Sequence, residues 1–278
     1  MYRRTFLKSL GVIGGSSLTL GTARAAVTSS DAHRVGVLVD TTKCIGCRTC
    51  ERSCAKAHGF PEPEFDLKTG YDTPRTMTVT QWTAVNRYQT DKGRVFAKKQ
   101  CMHCSQPACT AACPTRAMYK TAQGPVIWRG EKCIGCRYCM ISCPFDVPKF
   151  EFGSAVPKIQ KCFLCWEKLQ KDEQPACTKD CPTKTLLFGD RSELIELAKG
   201  RIYEKPDKYY HEIYGEHEVG GTEWIYLSSV PFDQLAFRTD LGTTAYPEYT
   251  KQFLYSVPVV LLLWPAMLLA LNKATDKE

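Results

Sequence analysis

Several common signatures are missing from this 278-residue chain. No G-x-G-x-x-G follows a predicted strand, which leaves nicotinamide or flavin binding by that route without support. No hydrolytic or phosphate-binding motif appears. His58, His103, His211 and His217 are scattered rather than clustered. His103, between Cys101 and Cys104, reads as a hydrogen-bonding or surface residue rather than a ligand. Trp82, Trp128 and Trp166 read as packing residues. Nothing in the chain makes or breaks a substrate bond, so a catalytic role is not expected. Isolated cysteines are missing as well: all sixteen fall into four groups of four.

The groups are Cys44, Cys47, Cys50, Cys54; Cys101, Cys104, Cys109, Cys113; Cys133, Cys136, Cys139, Cys143; and Cys162, Cys165, Cys177, Cys181. A cubane cluster takes four thiolates, so the set supplies four [4Fe–4S] clusters with none left over. The first and third groups read C-x2-C-x2-C-x3-C, in which three close cysteines wrap one cluster and the fourth reaches a neighbour. Pro114, Pro144 and Pro182 follow the fourth cysteine of three groups, whereas Ala55 follows Cys54. Groups two and four keep the opening C-x2-C and closing x3, with middle gaps of four and eleven residues. The order is therefore A-B-A-B, echoed by CIGCRTC at 44–50 and CIGCRYC at 133–139, and it argues for duplicated supersecondary units. A structural zinc takes two C-x2-C pairs at a distance, which four-in-a-row runs fit poorly. Disulfides are usual in an exported cysteine-rich chain. Here they would crowd sulfurs into strained loops. Groups two and three lie 19 residues apart and groups three and four 18, so spacing leaves open which pair shares a module.

Charge is missing from two runs near the ends, residues 9–23 and 253–271. Residues 1–25 carry Arg3-Arg4, a weakly apolar core with Gly11, Gly14, Gly15 and Gly21, and Ala23-Arg24-Ala25. That combination describes a twin-arginine export signal, with a mature chain starting at Ala26. It also suits clusters that must be built in the cytoplasm before export. Phe253 to Leu271 is 19 residues without a charge. At about 1.5 Å per residue such a helix covers roughly 30 Å, one hydrocarbon core. Pro258 and Pro265 share one face of it, and their freed carbonyls need a neighbouring helix or water. Flanking charges do little to set its orientation.

The net charge of +8 does not signal a nucleic-acid partner. Arg3, Arg4, Lys8 and Arg24 leave with the signal, so +8 becomes +4. Four clusters at about −2 each take the holoprotein to roughly −4. Lysine and arginine thus read as compensation for buried cluster charge. Arg48 and Arg137 lie within the loops, where a cation raises the reduction potential and where a solvated surface residue is equally at home.

Val35 to Val39 reads as a strand, as do Thr76 to Trp82 in the 46-residue insert between groups one and two, and Val126 to Trp128. Asp190-Arg191-Ser192-Glu193 reads as a capping box opening a helix through Lys199, with Gly200 as its C-cap. Gly220-Gly221-Thr222 reads as a turn before a strand at Trp224–Leu227.

With these residues in view, the chain resembles the four-cluster ferredoxin-like electron-transfer subunits of membrane oxidoreductases. CIGCRYCMISCPFDVPKF at 133–150, KYYHEIYGEHEVGGT at 208–222 and the following VPFDQL look most like hydrogenase-2-type HybA subunits. The YGEHEVGGT stretch and the anchor are shared with formate dehydrogenase beta subunits. The resemblance implies an α+β fold of two interleaved dicluster ferredoxin-like modules plus one C-terminal transmembrane helix. One module would comprise 35–75 and 153–190 and the other 95–152, with 191–251 an extension toward the membrane and 252–271 the helix. It also implies a pairing. Cluster one takes Cys44, Cys47, Cys50 and Cys181; cluster two takes Cys162, Cys165, Cys177 and Cys54. Cluster three takes Cys101, Cys104, Cys109 and Cys143; cluster four takes Cys133, Cys136, Cys139 and Cys113. The implied order runs from one, at the catalytic partner, to four, at the membrane. The implied partners are an exported catalytic subunit, an integral quinone-reactive or cytochrome b subunit, and membrane lipid. The implied location is the periplasmic face of the inner membrane, with the N-terminus outside.

Overall fold

The structure, a computed structural model, describes residues 33–64, 71 and 73–275. The export signal expected at residues 1–25 lies outside them. A three-stranded sheet organises the chain. Its central strand β1 (Val35–Asp40) pairs antiparallel with β8 (Leu186–Asp190) and parallel with β9 (Trp224–Leu227). The intervening strands form two-stranded ladders: β2 (Ala84–Thr90) with β3 (Gly93–Lys99), β4 (Met118–Lys120) with β5 (Val126–Trp128), and β6 (Lys149–Phe150) with β7 (Ile159–Gln160).

Both faces of the central sheet are covered, which is why β1 and β9 read as near-continuous apolar runs. Val37, Val39, Trp224 and Tyr226 face a core shared with Tyr88, Val95 and Ala97 of the β2–β3 hairpin. Leu38, Ile225 and Leu227 face the other way, onto Leu194, Ile195 and Ala198 of a long helix. Successive side chains alternate faces, so one strand serves both cores. Each such fully buried side chain contributes about 1.5–3 kcal/mol.

Short helices lie at each cysteine group: α1 (Thr49–His58) holds Cys50 and Cys54, α2 (Ala108–Ala111) Cys109, α3 (Tyr138–Ile141) Cys139 and α5 (Ala176–Lys179) Cys177, while α4 (Trp166–Leu169) directly follows Cys165. The long helix α6 spans Arg191–Glu204 and opens on Asp190, whose carboxylate accepts the Ser192 and Glu193 amides. It does not stop at Gly200, as the sequence suggested, but runs through it. Arg201 reaches Asp40 at 2.9 Å and Ile202 packs on the core, so tertiary contacts outweigh the glycine's low helix propensity. The strand expected at Thr76–Trp82 is also corrected. That stretch is irregular, with a turn from the Thr78 amide to the Gln81 carbonyl, and the insert's strands are β2 and β3. Side chains take the place of a ladder there: the Arg75 amide donates to Asn86 Oδ1, and Gln81 Nε2 to Glu51.

The segment expected as an extension contributes β9 and several of the largest buried side chains, Trp224, Tyr214, Tyr226 and Phe232. Beyond it, α7 (Tyr246–Thr275) is the one helix among the described residues long and apolar enough to cross a membrane, with no residue buried against the rest of the chain. It contains Pro258 and Pro265.

Candidate iron–sulfur centres

The duplicated loops have duplicated backbones. A 3-10 turn, Thr41–Lys43, leads into Cys44, and another, Gly130–Lys132, leads into Cys133. Between the first two cysteines of each loop stand Gly46 (φ 73°) and Gly135 (φ 71°), and before the third stand Arg48 (φ 58°) and Arg137 (φ 62°). Gly46 is required twice over: its φ is left-handed, and a Cβ there would meet the Phe96 ring at 2.6 Å. The third cysteines, Cys50 and Cys139, then lie in the first turns of α1 and α3.

Groups two and four repeat just as closely. Gln106-Pro107-Ala108-Cys109-Thr110 matches Gln174-Pro175-Ala176-Cys177-Thr178. Thr110 and Thr178 each donate to the carbonyl of the proline three residues back, at 2.9 and 2.7 Å. This repeat is legible in the sequence, although the cysteine spacing alone does not draw attention to it.

All sixteen cysteines are free thiols. One small cavity is lined by Cys44, Cys47, Cys50 and Cys181, and another by Cys113, Cys133, Cys136 and Cys139. Cys54 is pushed well above the usual thiol range, by burial first and then by its neighbours Cys162, Cys177 and Cys165. Cys104 behaves likewise, with Cys101, Cys143 and Cys109 beside it. Further neighbours form a succession. Besides burial, Cys50 is influenced by Cys177, Cys162 by Cys101, and Cys109 by Cys139. Two thiols run the other way. Burial raises Cys113 and Cys181, but N–H and hydroxyl donors outweigh it, led by the amides of Met118 and Leu186 respectively.

The pocket chemistry suits a multi-iron guest. Among the described residues no three or more of His, Cys, Asp and Glu converge tightly enough for a single ion, as zinc with Zn–S near 2.3 Å would require. Buried donors also stand without a partner among the described residues: the indole N–H groups of Trp82, Trp128 and Trp224, and Nε2 of His103. His103 is wholly buried and its Nδ1 accepts the Val126 amide at 2.8 Å, which places the ring proton on Nε2. Sulfide- and thiolate-rich clusters provide acceptors that such donors otherwise lack.

Two stretches match known families, residues 43–117 and 93–191, each described as a 4Fe-4S dicluster domain. A protein of Nitratidesulfovibrio vulgaris strain Hildenborough is 42% identical, over 100% of this chain and 78% of its own length. The hydrogenase-2 operon protein HybA of Escherichia coli O157:H7 is 33% identical over 99% of this chain and 97% of its own. The nitrate-inducible formate dehydrogenase iron–sulfur subunit of Escherichia coli K12 is 34% identical over 69% and 67%. The chain belongs to this family of ferredoxin-type electron-transfer subunits. Its cofactors are four [4Fe–4S] clusters, which the sixteen cysteines match in number.

As a ferredoxin-type subunit, the chain surrounds its cysteines with charged residues that cysteine spacing does not reveal. Arg48 is buried and pairs with Glu51 at 2.5 Å, whereas Arg137 is exposed beside Phe150 and Phe152. The two loop arginines, equivalent in sequence, therefore differ in role. Glu223 is wholly buried between Lys120 at 2.7 Å, Arg34 at 3.5 Å and Arg191 at 3.6 Å. Lys98 and Lys161 are both buried, and Lys161 donates to the carbonyls of Val126 and Cys162.

Proposed function

We propose that this subunit relays electrons between an exported catalytic subunit, favoured as an uptake [NiFe] hydrogenase, and a membrane quinone-reactive or cytochrome b subunit. The clusters supply one-electron chemistry; the chain's residues hold, space and insulate them. The observation that carries a relay is the succession of neighbouring thiols, Cys50 to Cys177, Cys162 to Cys101 and Cys109 to Cys139. It supports clusters in the order one, two, three, four. Cluster one is assigned Cys44, Cys47, Cys50 and Cys181, and cluster two Cys162, Cys165, Cys177 and Cys54. Cluster three is assigned Cys101, Cys104, Cys109 and Cys143, and cluster four Cys133, Cys136, Cys139 and Cys113.

Two interleaved modules of an α+β fold follow from that assignment, 35–75 with 153–190 and 95–152. Supporting the interleaving, β1 pairs with β8 and Ser53 of α1 donates to Asp180 after α5 at 2.6 Å. We assign α7 as a single-pass anchor, with the cluster-bearing part on the periplasmic face and the N-terminus outside. The length of the HybA similarity, which takes in the C-terminal helix, favours a hydrogenase-2-type complex. Gentle solubilisation of the membrane complex followed by metal analysis tests this. Nickel co-purifying with the subunit is expected; molybdenum or tungsten would replace the hydrogenase reading with a formate-dehydrogenase-type one.

A further inference from the structure

Lys98 is the penultimate residue of β3 and is 3% exposed. Its ammonium donates to Gln100 Oε1 at 2.8 Å and lies 4.4 Å from the centre of the Trp224 ring. Gln100 is itself held by donating to the Tyr226 hydroxyl at 2.6 Å, and that hydroxyl donates back to the Lys98 carbonyl at 3.0 Å. The surroundings thus fix the amine tightly, yet no carboxylate among the described residues pairs with it. A buried cation satisfied only by an amide oxygen and an aromatic face is costly, and proteins keep such a charge where an anion compensates it. The anions are at hand. Lys98 lines the same cavity as Cys44, Cys47, Cys50 and Cys181. It is also an electrostatic neighbour of Cys177, Cys162 and Cys54. Burial pulls its pKa down, but these sulfurs outweigh burial and hold it above the usual lysine value.

We propose that Lys98 is a shared counter-charge placed between clusters one and two, raising the reduction potentials of both relative to what the same cysteine sets would give without it. The inference rests on the quartet assignment above. The physics is direct: reduction adds an electron to an already anionic site, and a fixed buried cation stabilises the more negative state. One residue acts on two centres because β3 runs past the junction of the first and fourth cysteine groups. Lys98 touches no substrate; it is a positioning residue for charge.

The test uses the full-length holoprotein in redox titrations followed by electron paramagnetic resonance. Cys50→Ser and Cys162→Ser first identify the signals of clusters one and two, and Cys104→Ser and Cys139→Ser those of three and four. If these variants do not each perturb a separate signal, the quartet assignment fails, whatever Lys98 does. With the signals assigned, Lys98→Met should make clusters one and two at least tenfold harder to reduce at fixed potential, about 59 mV for one electron. Clusters three and four should hold their potentials, and Lys98→Arg should retain most of the wild-type values. Lys98→Gln, which keeps a polar end near Gln100, gives the same reading if the methionine variant does not fold. Unshifted potentials for clusters one and two in a chargeless variant that retains all its iron would overturn the proposal, since a purely structural lysine changes stability but not potential.

Discussion

Glu51 is the most informative single perturbation. Its carboxylate is 2% exposed and accepts from Arg48 Nη2 at 2.5 Å, Arg75 Nη2 at 2.6 Å, Gln81 Nε2 at 3.2 Å and the Val85 amide at 2.6 Å. It thereby ties three things together: the first cysteine loop through Arg48, the irregular insert through Arg75 and Gln81, and the start of β2. Glu51→Ala removes the buried carboxylate shared by Arg48, whose side chain is 3% exposed, and Arg75, at 23%. Removing one partner of a buried pair costs about 3–5 kcal/mol. That is more than a hundredfold in an equilibrium at about 1.4 kcal/mol per factor of ten. The loss should show first at the cluster held by Cys44, Cys47 and Cys50. Anaerobic urea titration of the holoprotein, following visible absorbance, cluster resonances and backbone dichroism separately, reads it. The double variant Arg48→Met/Glu51→Leu, which replaces that pair with apolar groups, should recover part of the loss, since Arg75, Gln81 and the Val85 amide still lose their acceptor. A Glu51→Ala cost below about 1 kcal/mol, the value of an exposed pair, would refute the reasoning.

Three further outcomes are expected. Cys54→Ser should damage the cluster held mainly by Cys162, Cys165 and Cys177; loss of a cluster anchored in group two instead would sink the assignment, and iron counting with spectroscopy decides. Gly215→Ala should destabilise more than Gly93→Ala. Both positions have left-handed φ, 94° and 96°, but a Cβ at 215 meets the Trp224 carbonyl oxygen at 2.3 Å and one at 93 meets open space. The left-handed backbone alone costs roughly 1–2 kcal/mol, so comparable melting shifts for the two variants would contradict the packing of β9. Finally, burial pushes the thiols of Cys44, Cys139 and Cys143 up to about 11. Empty sites therefore hold protons at neutral pH, and loading must release them. Reconstitution with an equimolar mixture of ferrous and ferric iron and sulfide should release more protons than the sulfide itself supplies and proceed more readily from about pH 7 to about pH 9. Proton release no greater than the sulfide accounts for would mean that the thiols are already ionised.

Local chemistry made part of this legible. Cysteine spacing, the apolar run of β1, the Asp190 cap and the uncharged stretch of α7 are each written within a few residues. The β2–β3 hairpin is not, because its Asp91-Lys92 turn lies in a polar insert whose β-branched residues sit earlier, at Thr76–Thr80. Thr78 spends its amide on the Gln81 carbonyl, and the preceding Arg75 spends its amide on Asn86, rather than on a partner strand. Lys98 was invisible for the same reason: within G-R-V-F-A-K-K nothing distinguishes the buried Lys98 from the more exposed Lys99 beside it. Gly200 misled because a local stop signal was overridden by Arg201 and Ile202, whose partners lie far away in sequence. The equivalence of Arg48 and Arg137 failed similarly, since only the first loop has a buried carboxylate opposite.

The placement of β1 at the centre of the sheet has a consequence in time. Val35 faces Asp190 and Val37 faces Trp224, so the strand made first waits for both of its partners until most of the chain has left the ribosome. The β4–β5 ladder, by contrast, closes between Met118 and Trp128 and needs nothing made later. Local contacts form early and distant ones late. The middle ladder can therefore close on its own, whereas the central sheet, and with it the packing of both cores, must wait for a chain that extends to Leu227.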